Sequence, residues 1–262
     1  LGDIYAMGGI PHSALVTAII PYSSEPIMQE TLLHLMRGVL KTLKDENTAL
    51  IGGHSGEGSE MAIGLTVNGT LPSIEALTKS GLTPGDSLIL TKPIGSGVLL
   101  AANMAARCQG LWLDQALAYM LQSNRAAATI LRSCAARSCT DVTGFGLLGH
   151  LQEMLLASQC NASLSIDAIP IMEGAQQCSQ QSIQSTLYAA NKQASQCQYY
   201  SGQHPSYPLL FDPQTAGGLL AGIPAERTNE CLHALTAAGY TSAHIGNVTP
   251  HDTNSLIILA DH

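Results

Sequence analysis

Thr140-Asp141-Val142-Thr143-Gly144-Phe145-Gly146-Leu147-Leu148-Gly149-His150 is the stretch on which the reading of this chain turns. The apolar run from Leu147 is helical in pattern and continues to about Ala157, so the glycine-rich segment Asp141–Gly149 is a turn leading into a helix. Two readings of its polar residues stand side by side. Asp141 and Thr143 are both good helix N-caps, since their side-chain oxygens can accept orphan amide protons. Asp141 is equally suited to be a hard oxygen ligand on a rigid turn, as Mg²⁺ requires.

Strands and helices alternate outward from that turn. On the N-terminal side, Leu15–Ile20 is an apolar, β-branched strand closed by Pro21. Leu32, Leu33, Leu35, Met36, Val39, Leu40 and Leu43 recur at helical spacing within Ile27–Leu43. Ala49–Gly52 predicts a short strand stopping at its glycines, with Met61–Val67 as its partner. Turn residues cluster over Thr78–Asp86 and a strand, Ser87–Thr91, follows at once, which sets a domain boundary there. Next come helices at Gly97–Ala106 and across Leu113–Arg137. Asn161–Ser185 holds a strand and a helix, and the polar stretch Asn191–Pro208 is a mobile loop. Phe211–Ile223 turns into a strand, Ala225–Ala238 is helical, and Ala243–Val248 and Ser255–Leu259 close the order. The expected fold class is α+β in two domains, 1–81 and 82–262.

Composition narrows the function. The chain has 262 residues, 45% of them apolar and 11% charged, enough for a well-buried core. Its net charge of −8 and the lack of a Lys/Arg cluster argue against a nucleic-acid surface, which must neutralise phosphates. The apolar runs are too short and interrupted for a membrane span. Seven cysteines at irregular spacing, with no Cys-x-x-Cys pair, fit reduced thiols in a cytoplasm better than a disulfide framework. Neither G-x-x-x-x-G-K-[ST] nor G-x-G-x-x-G occurs, so any nucleotide is held by another scheme.

Three more glycine-rich elements accompany the first. Asp3 lies in Gly2-Asp-Ile-Tyr-Ala-Met-Gly-Gly9, a turn in its plain reading. Gly52-Gly53-His54-Ser55 is a hairpin turn in its plain reading; in its functional reading it is a set of bare amides for a phosphate, with His54 beside them. Asp212-Pro-Gln-Thr-Ala-Gly-Gly-Leu-Leu220 is a fixed turn ahead of a strand.

In order along the chain, these elements together with Leu82-Thr-Pro-Gly-Asp-Ser-Leu-Ile-Leu-Thr-Lys-Pro-Ile-Gly-Ser-Gly97 resemble selenophosphate synthetase (selenide, water dikinase) over essentially the whole length. The wider superfamily includes aminoimidazole ribonucleotide synthetase, thiamine-monophosphate kinase and a hydrogenase maturation factor, which lack the D-V-T-G-F-G-L-L-G-H and D-P-Q-T-A-G-G-L-L wording. The resemblance implies two domains of α/β sandwich type. The first pairs across a homodimer into a β-barrel with nucleotide at its cleft, and the second is a mixed sheet with helices. It implies ATP and Mg²⁺ as cofactors, with Asp3 working with ATP and magnesium, Asp141 a magnesium ligand, and Gly52, Gly53 and His54 contacting ATP from the partner subunit. The implied reaction phosphorylates selenide and releases AMP and phosphate.

Two departures accompany it. Leu1 reads as a cut end, and the family's catalytic Cys or selenocysteine, its Lys and further Asp residues are expected upstream of it. A chain without them is expected to be inactive alone. The family's Arg-Asn stretch falls near Thr186–Gln196, where this chain reads TLYAANKQASQ; that difference points to the branch fused behind an oxidoreductase. A superfamily ATPase with a different acceptor and a non-catalytic dimerisation or regulatory module are the alternatives.

Overall fold

The structure, a computed structural model, describes residues 1–71, 76–199, 204–252 and 256–260. Residues 200–203 of the expected mobile loop and Ser255 of the last expected strand lie outside the described residues. The chain divides into two compact units, Asp3–Ala76 with Leu1, and Leu77–His262 with Gly2.

Unit 1 opens with a one-turn helix α1 (Gly2–Ala6), followed by β1 (Ile10–Pro21), α2 (Glu25–Asp45), β2 (Ala49–Gly58) and β3 (Ala62–Thr70). Ser24 precedes the helix, Pro26 sits in its first turn, and Glu25 and Lys44 complement the dipole at its two ends. The apolar stripe of α2 puts Leu35, Met36, Val39 and Leu43 on the β1 residues Ala14 and Val16, with Leu50 and Val67 beside them. The Tyr5 hydroxyl donates to the buried Glu46 carboxylate at the C-cap, tying α1 to the end of α2.

The sheet order is β2-β1-β3, with β2 parallel and β3 antiparallel to β1. Two expectations fail here. Met61–Val67 does not pair with the Ala49 strand, because β1 lies between them. Nor does the strand stop at Gly52-Gly53: it runs through both to Gly58, and there is no hairpin turn. The reason is steric. A Cβ on Gly53 would lie 2.0 Å from the Val16 carbonyl oxygen, beside the register shift between Ala14 and Leu15, so glycine is what lets the two strands close up.

Unit 2 is larger. Its elements are β4 (Ser87–Leu90), α3 (Ser96–Met104), α4 (Gly110–Leu121), α5 (Arg125–Ser133), β5 (Ser138–Asp141), α6 (Gly146–Ser158), β6 (Asn161–Ser165), α7 (Ala175–Gln180), α8 (Tyr188–Ala194), β7 (Cys197–Tyr199), β8 (Leu219–Ile223), α9 (Thr228–Ala237), β9 (Ala243–Thr249) and β10 (Ile257–Ala260). Among the described residues they form a seven-stranded mixed sheet, β5-β8-β4-β9-β6-β10-β7, in which only β10 makes parallel pairs. The stretch expected to be a mobile loop instead contributes the end of α8 and the edge strand β7. Its glutamines and serines hid a short helix whose Tyr188 meets Phe211 edge to face.

Lys92 is among the largest fully buried side chains of the described residues, 2% exposed, and its ammonium donates to the carbonyls of Gln122 (2.6 Å) and Ala216 (3.4 Å). Burial pulls its pKa down to about 8. The unfolded chain therefore holds a proton that the folded chain has lost between about pH 8 and the ordinary lysine value. Stability is expected to rise with pH across that window. Lys92→Met should flatten the rise in urea titrations, and Lys92→Ala should cost roughly 2–5 kcal/mol, as for other large-to-small core changes.

Candidate active site

Asp141 is the last residue of β5, paired with Leu219, and is partly buried. Helix α6 begins at Gly146 with Phe145 at the N-cap and no side-chain cap. Neither Asp141 nor Thr143 therefore caps that helix, and the N-cap reading of this turn is corrected. The helix starts late because Gly146 sits at φ +71°, and a Cβ there would meet the Phe211 carbonyl group at 2.9–3.0 Å.

The turn between strand and helix is held from several sides. The Val142 amide donates to Gly218 O at 2.9 Å, and the Thr143 carbonyl accepts from Gly146 N (3.1 Å) and Gln214 N (2.8 Å). Asn191 donates through Nδ2 to both Gly144 O and Phe211 O at 2.9 Å. Asn191 is the side chain that sequence reasoning passed over. It lies in the divergent TLYAANKQASQ stretch, where a lone Asn in a polar run carries no signal of its own.

His150 completes the support. Its Nε2 lies 3.2 Å from Thr143 Oγ1. Its Nδ1 lies 3.3 Å from Glu153 Oε2, off the line of a good hydrogen bond, and Lys79 pairs with the same carboxylate oxygen at 2.7 Å. Burial lowers the His150 pKa, with Glu153 opposing and Lys79 adding to the shift.

Asp212-Pro-Gln-Thr is structural in a specific way. Gln214 Oε1 accepts from Gly95 N (2.9 Å), Ser96 N (3.1 Å) and Ser96 Oγ (3.1 Å), while Asp212 Oδ2 accepts from Val98 N at 3.0 Å. The orphan amides at the start of α3 are thus satisfied by protein side chains rather than left for an anion. Burial raises the Asp212 carboxyl to about 6, against the pull of those donors. The stability contributed by its protonated form is lost as pH rises from the ordinary carboxyl value through about 6.

The other expected site residues lie in unit 1. Asp3 is exposed in the first turn of α1. Gly52, Gly53 and His54 are exposed on β2, opposite Leu15, Val16 and Thr17. β2 is an edge strand of the described sheet, so one side of its backbone has no ladder partner there. All seven cysteines are unpaired, and burial pushes Cys139, Cys197 and Cys231 up to about 12, which keeps those thiols protonated. Among the described residues no three His, Cys, Asp or Glu side chains cluster as a metal site, and no helix is long and apolar enough to cross a membrane. Magnesium needs only one or two carboxylates beside nucleotide phosphates, and the oxygen donors of Asp141 and Thr143 are of the type it takes.

Residues 1–71 match the N-terminal domain and residues 83–258 the C-terminal domain of AIR synthase related proteins. The selenide, water dikinase of Geobacter metallireducens is 33% identical over 98% of this chain and 75% of that protein. Among solved structures, a thiamine-monophosphate kinase from Stenotrophomonas maltophilia has a TM-score of 0.76 at 16% identity, over 100% of this chain and 75% of its own. The hydrogenase maturation protein HypE in complex with ATP has a TM-score of 0.72 at 17% identity, over 94% of this chain and 68% of its own. The two solved structures share the fold; the sequence match goes further, and the chain belongs to the selenide, water dikinase family of AIR synthase related proteins.

Proposed function

We propose that the protein is a cytoplasmic, homodimeric selenophosphate synthetase. It transfers the γ-phosphoryl group of ATP to selenide, and water then cleaves the remaining ADP to AMP and phosphate. The observation that carries this reading is Asp141, a carboxylate at a strand end on a turn that four separate hydrogen-bonding groups hold in place, in a chain of this family.

Phosphoryl transfer asks little covalent chemistry of a protein and a great deal of positioning and charge neutralisation. Asp141 would hold Mg²⁺; the ion, when bound, neutralises phosphate charge as it moves toward the leaving group. Asp3, in unit 1, is the acidic residue expected to work with ATP and magnesium. Fixing the turn before the nucleotide arrives spares the site the cost of ordering it during the reaction. Gly52, Gly53 and His54 would meet ATP along the open edge of β2, where backbone amides suit phosphate oxygens. Among the described cysteines, Cys139, Cys197 and Cys231 are poor nucleophiles, because burial keeps them protonated.

The test uses the natural gene product containing residues 1–262, incubated with ATP, Mg²⁺ and selenide and followed by ³¹P NMR. Selenophosphate, AMP and phosphate are expected in equal amounts. AMP formation indifferent to selenide would assign the chemistry to another acceptor.

A further inference from the structure

Phe145 breaks three local rules at once. It stands at the N-cap of α6, where an oxygen-bearing side chain would accept an orphan amide proton, and it leaves the helix without a side-chain cap. It is 58% exposed, whereas Phe211, the other phenylalanine of the chain, is buried in the core. A Cβ on Gly149 would lie 2.7 Å from the Phe145 Cβ, so the helix carries a glycine to seat this side chain, at a cost in helix stability. The backbone around Phe145 is nonetheless fixed on both sides. Gly144 O accepts from Asn191 Nδ2 at 2.9 Å, and Gly146 N donates to Thr143 O at 3.1 Å. The ring is tilted against the His150 imidazole, centroids 5.4 Å apart at 44°, a contact that orients it and still leaves it open to solvent. Features that lose local stability without a packing return are expected at functional sites.

What such a ring can recognise follows from its place. It is carried on the turn of Asp141, four residues along the chain. In the reading above that carboxylate meets the phosphate end of the nucleotide, and the base stands at the far end of the triphosphate. Phosphates, Mg²⁺ and water are strongly hydrated and gain nothing from an apolar ring. Hydrogen selenide is a large, soft, weakly hydrated anion, and soft chalcogens make favourable contacts with aromatic rings. Resting on the functional reading above, we propose that Phe145 is a specificity-determining residue for the phosphoryl acceptor, its ring favouring hydrogen selenide over water at the γ-phosphorus. In the favoured step a selenium lone pair forms the Se–P bond while the P–O bond to ADP breaks, and the electron pair of that bond leaves on the ADP oxygen. With water as acceptor an O–P bond forms instead, a proton passes to solvent, and the phosphoryl group ends as phosphate.

The test compares variants of the natural gene product, kept anaerobic with ATP, Mg²⁺ and graded selenide and followed by ³¹P NMR. Phe145→Ala should raise the selenide KM about 3–10-fold, the range to which a chalcogen–ring contact converts. It should also lower the ratio of selenophosphate to AMP below that of the parent. Phe145→Leu, apolar without a ring, should fall between the two, and ATP affinity by calorimetry should match the parent in both variants. Phe145→Ser returns a capping oxygen, so it should share the selenide defect of Phe145→Ala with a melting temperature no lower than the parent's. An unchanged selenide KM and product ratio in Phe145→Ala overturn the proposal. So does a loss of ATP affinity, which would assign the ring to the base, and so does a lowered melting temperature in Phe145→Ser, which would make the ring structural. AMP formation by the parent that ignores selenide would instead overturn the functional reading, and this inference with it.

Discussion

Asp141→Asn is expected to reduce selenophosphate formation about a thousandfold while moving the melting temperature by no more than about 2 °C. A metal held by a carboxylate supplies several kcal/mol of charge stabilisation to the transition state, and about 1.4 kcal/mol corresponds to each tenfold in rate. Asparagine keeps the shape and loses the charge. The small thermal effect follows from the placement of Asp141. It is partly exposed at the end of β5, the helix after it begins at Gly146 without its help, and its turn is secured by Asn191, Gln214 and Gly218. Asparagine is isosteric with aspartate at this partly exposed position, so the change is expected to stay within about 0.5 kcal/mol. Rates from the ³¹P assay and a thermal melt of the same preparation decide the matter. Undiminished turnover would strip Asp141 of its role as ligand, and a fall of about 10 °C would make it a structural residue.

The same turn shows where a sequence can be read and where it cannot. Helical spacing placed α2 well, since Val39 and Leu43 recur on the stripe that reaches β1. The strands Ser87–Leu90 and Leu219–Ile223 were legible because apolar residues sit between turn residues. Pairing was not. Nothing in Ala49–Gly58 or Ala62–Thr70 records that β1 separates them, because strand order is decided by long-range contacts rather than local pattern. The glycine pair 52–53 misled because a turn and a close strand crossing call for the same residue, and only the neighbour, Val16, tells them apart. The supports of the site were likewise invisible. Asn191 and Gln214 bond to carbonyls and amides far away in the chain, so their partners leave no trace at their own positions.

Leu15→Glu is expected to convert the protein from a dimer to a monomer without unfolding it. Along β1 the residues Ala14, Val16, Ala18 and Ile20 are buried, and Ala14 and Val16 pack under α2. The alternate residues Leu15 and Thr17 are exposed and share their face with Gly52 and His54 of β2 and with Thr66 and Gly64 of β3. Within unit 1 no described element covers that face, and Leu15 is 41% exposed. The enclosed core of the unit, Ala14, Val16, Val39 and Leu43 with their partners, is small. A core of that size in a unit of about 75 residues rarely supplies more than about 3–5 kcal/mol, so a second copy on the bare face would add stability as well as symmetry. Under two-fold symmetry a glutamate at position 15 enters the interface twice. At roughly 3 kcal/mol for each unpaired charge taken out of water, dimer affinity should fall about 10⁴-fold. In light scattering at about 0.5 µM, far above a nanomolar Kd and about 20-fold below one weakened roughly 10⁴-fold, the parent should run as a dimer and the variant as a monomer. Circular dichroism of the variant should match the parent, because Leu15 already faces solvent within its own chain. A monomeric parent would sink the dimer. So would an intact Leu15→Glu dimer, since the interface would then have to lie off this face, away from the edge where Gly52, Gly53 and His54 are proposed to meet ATP.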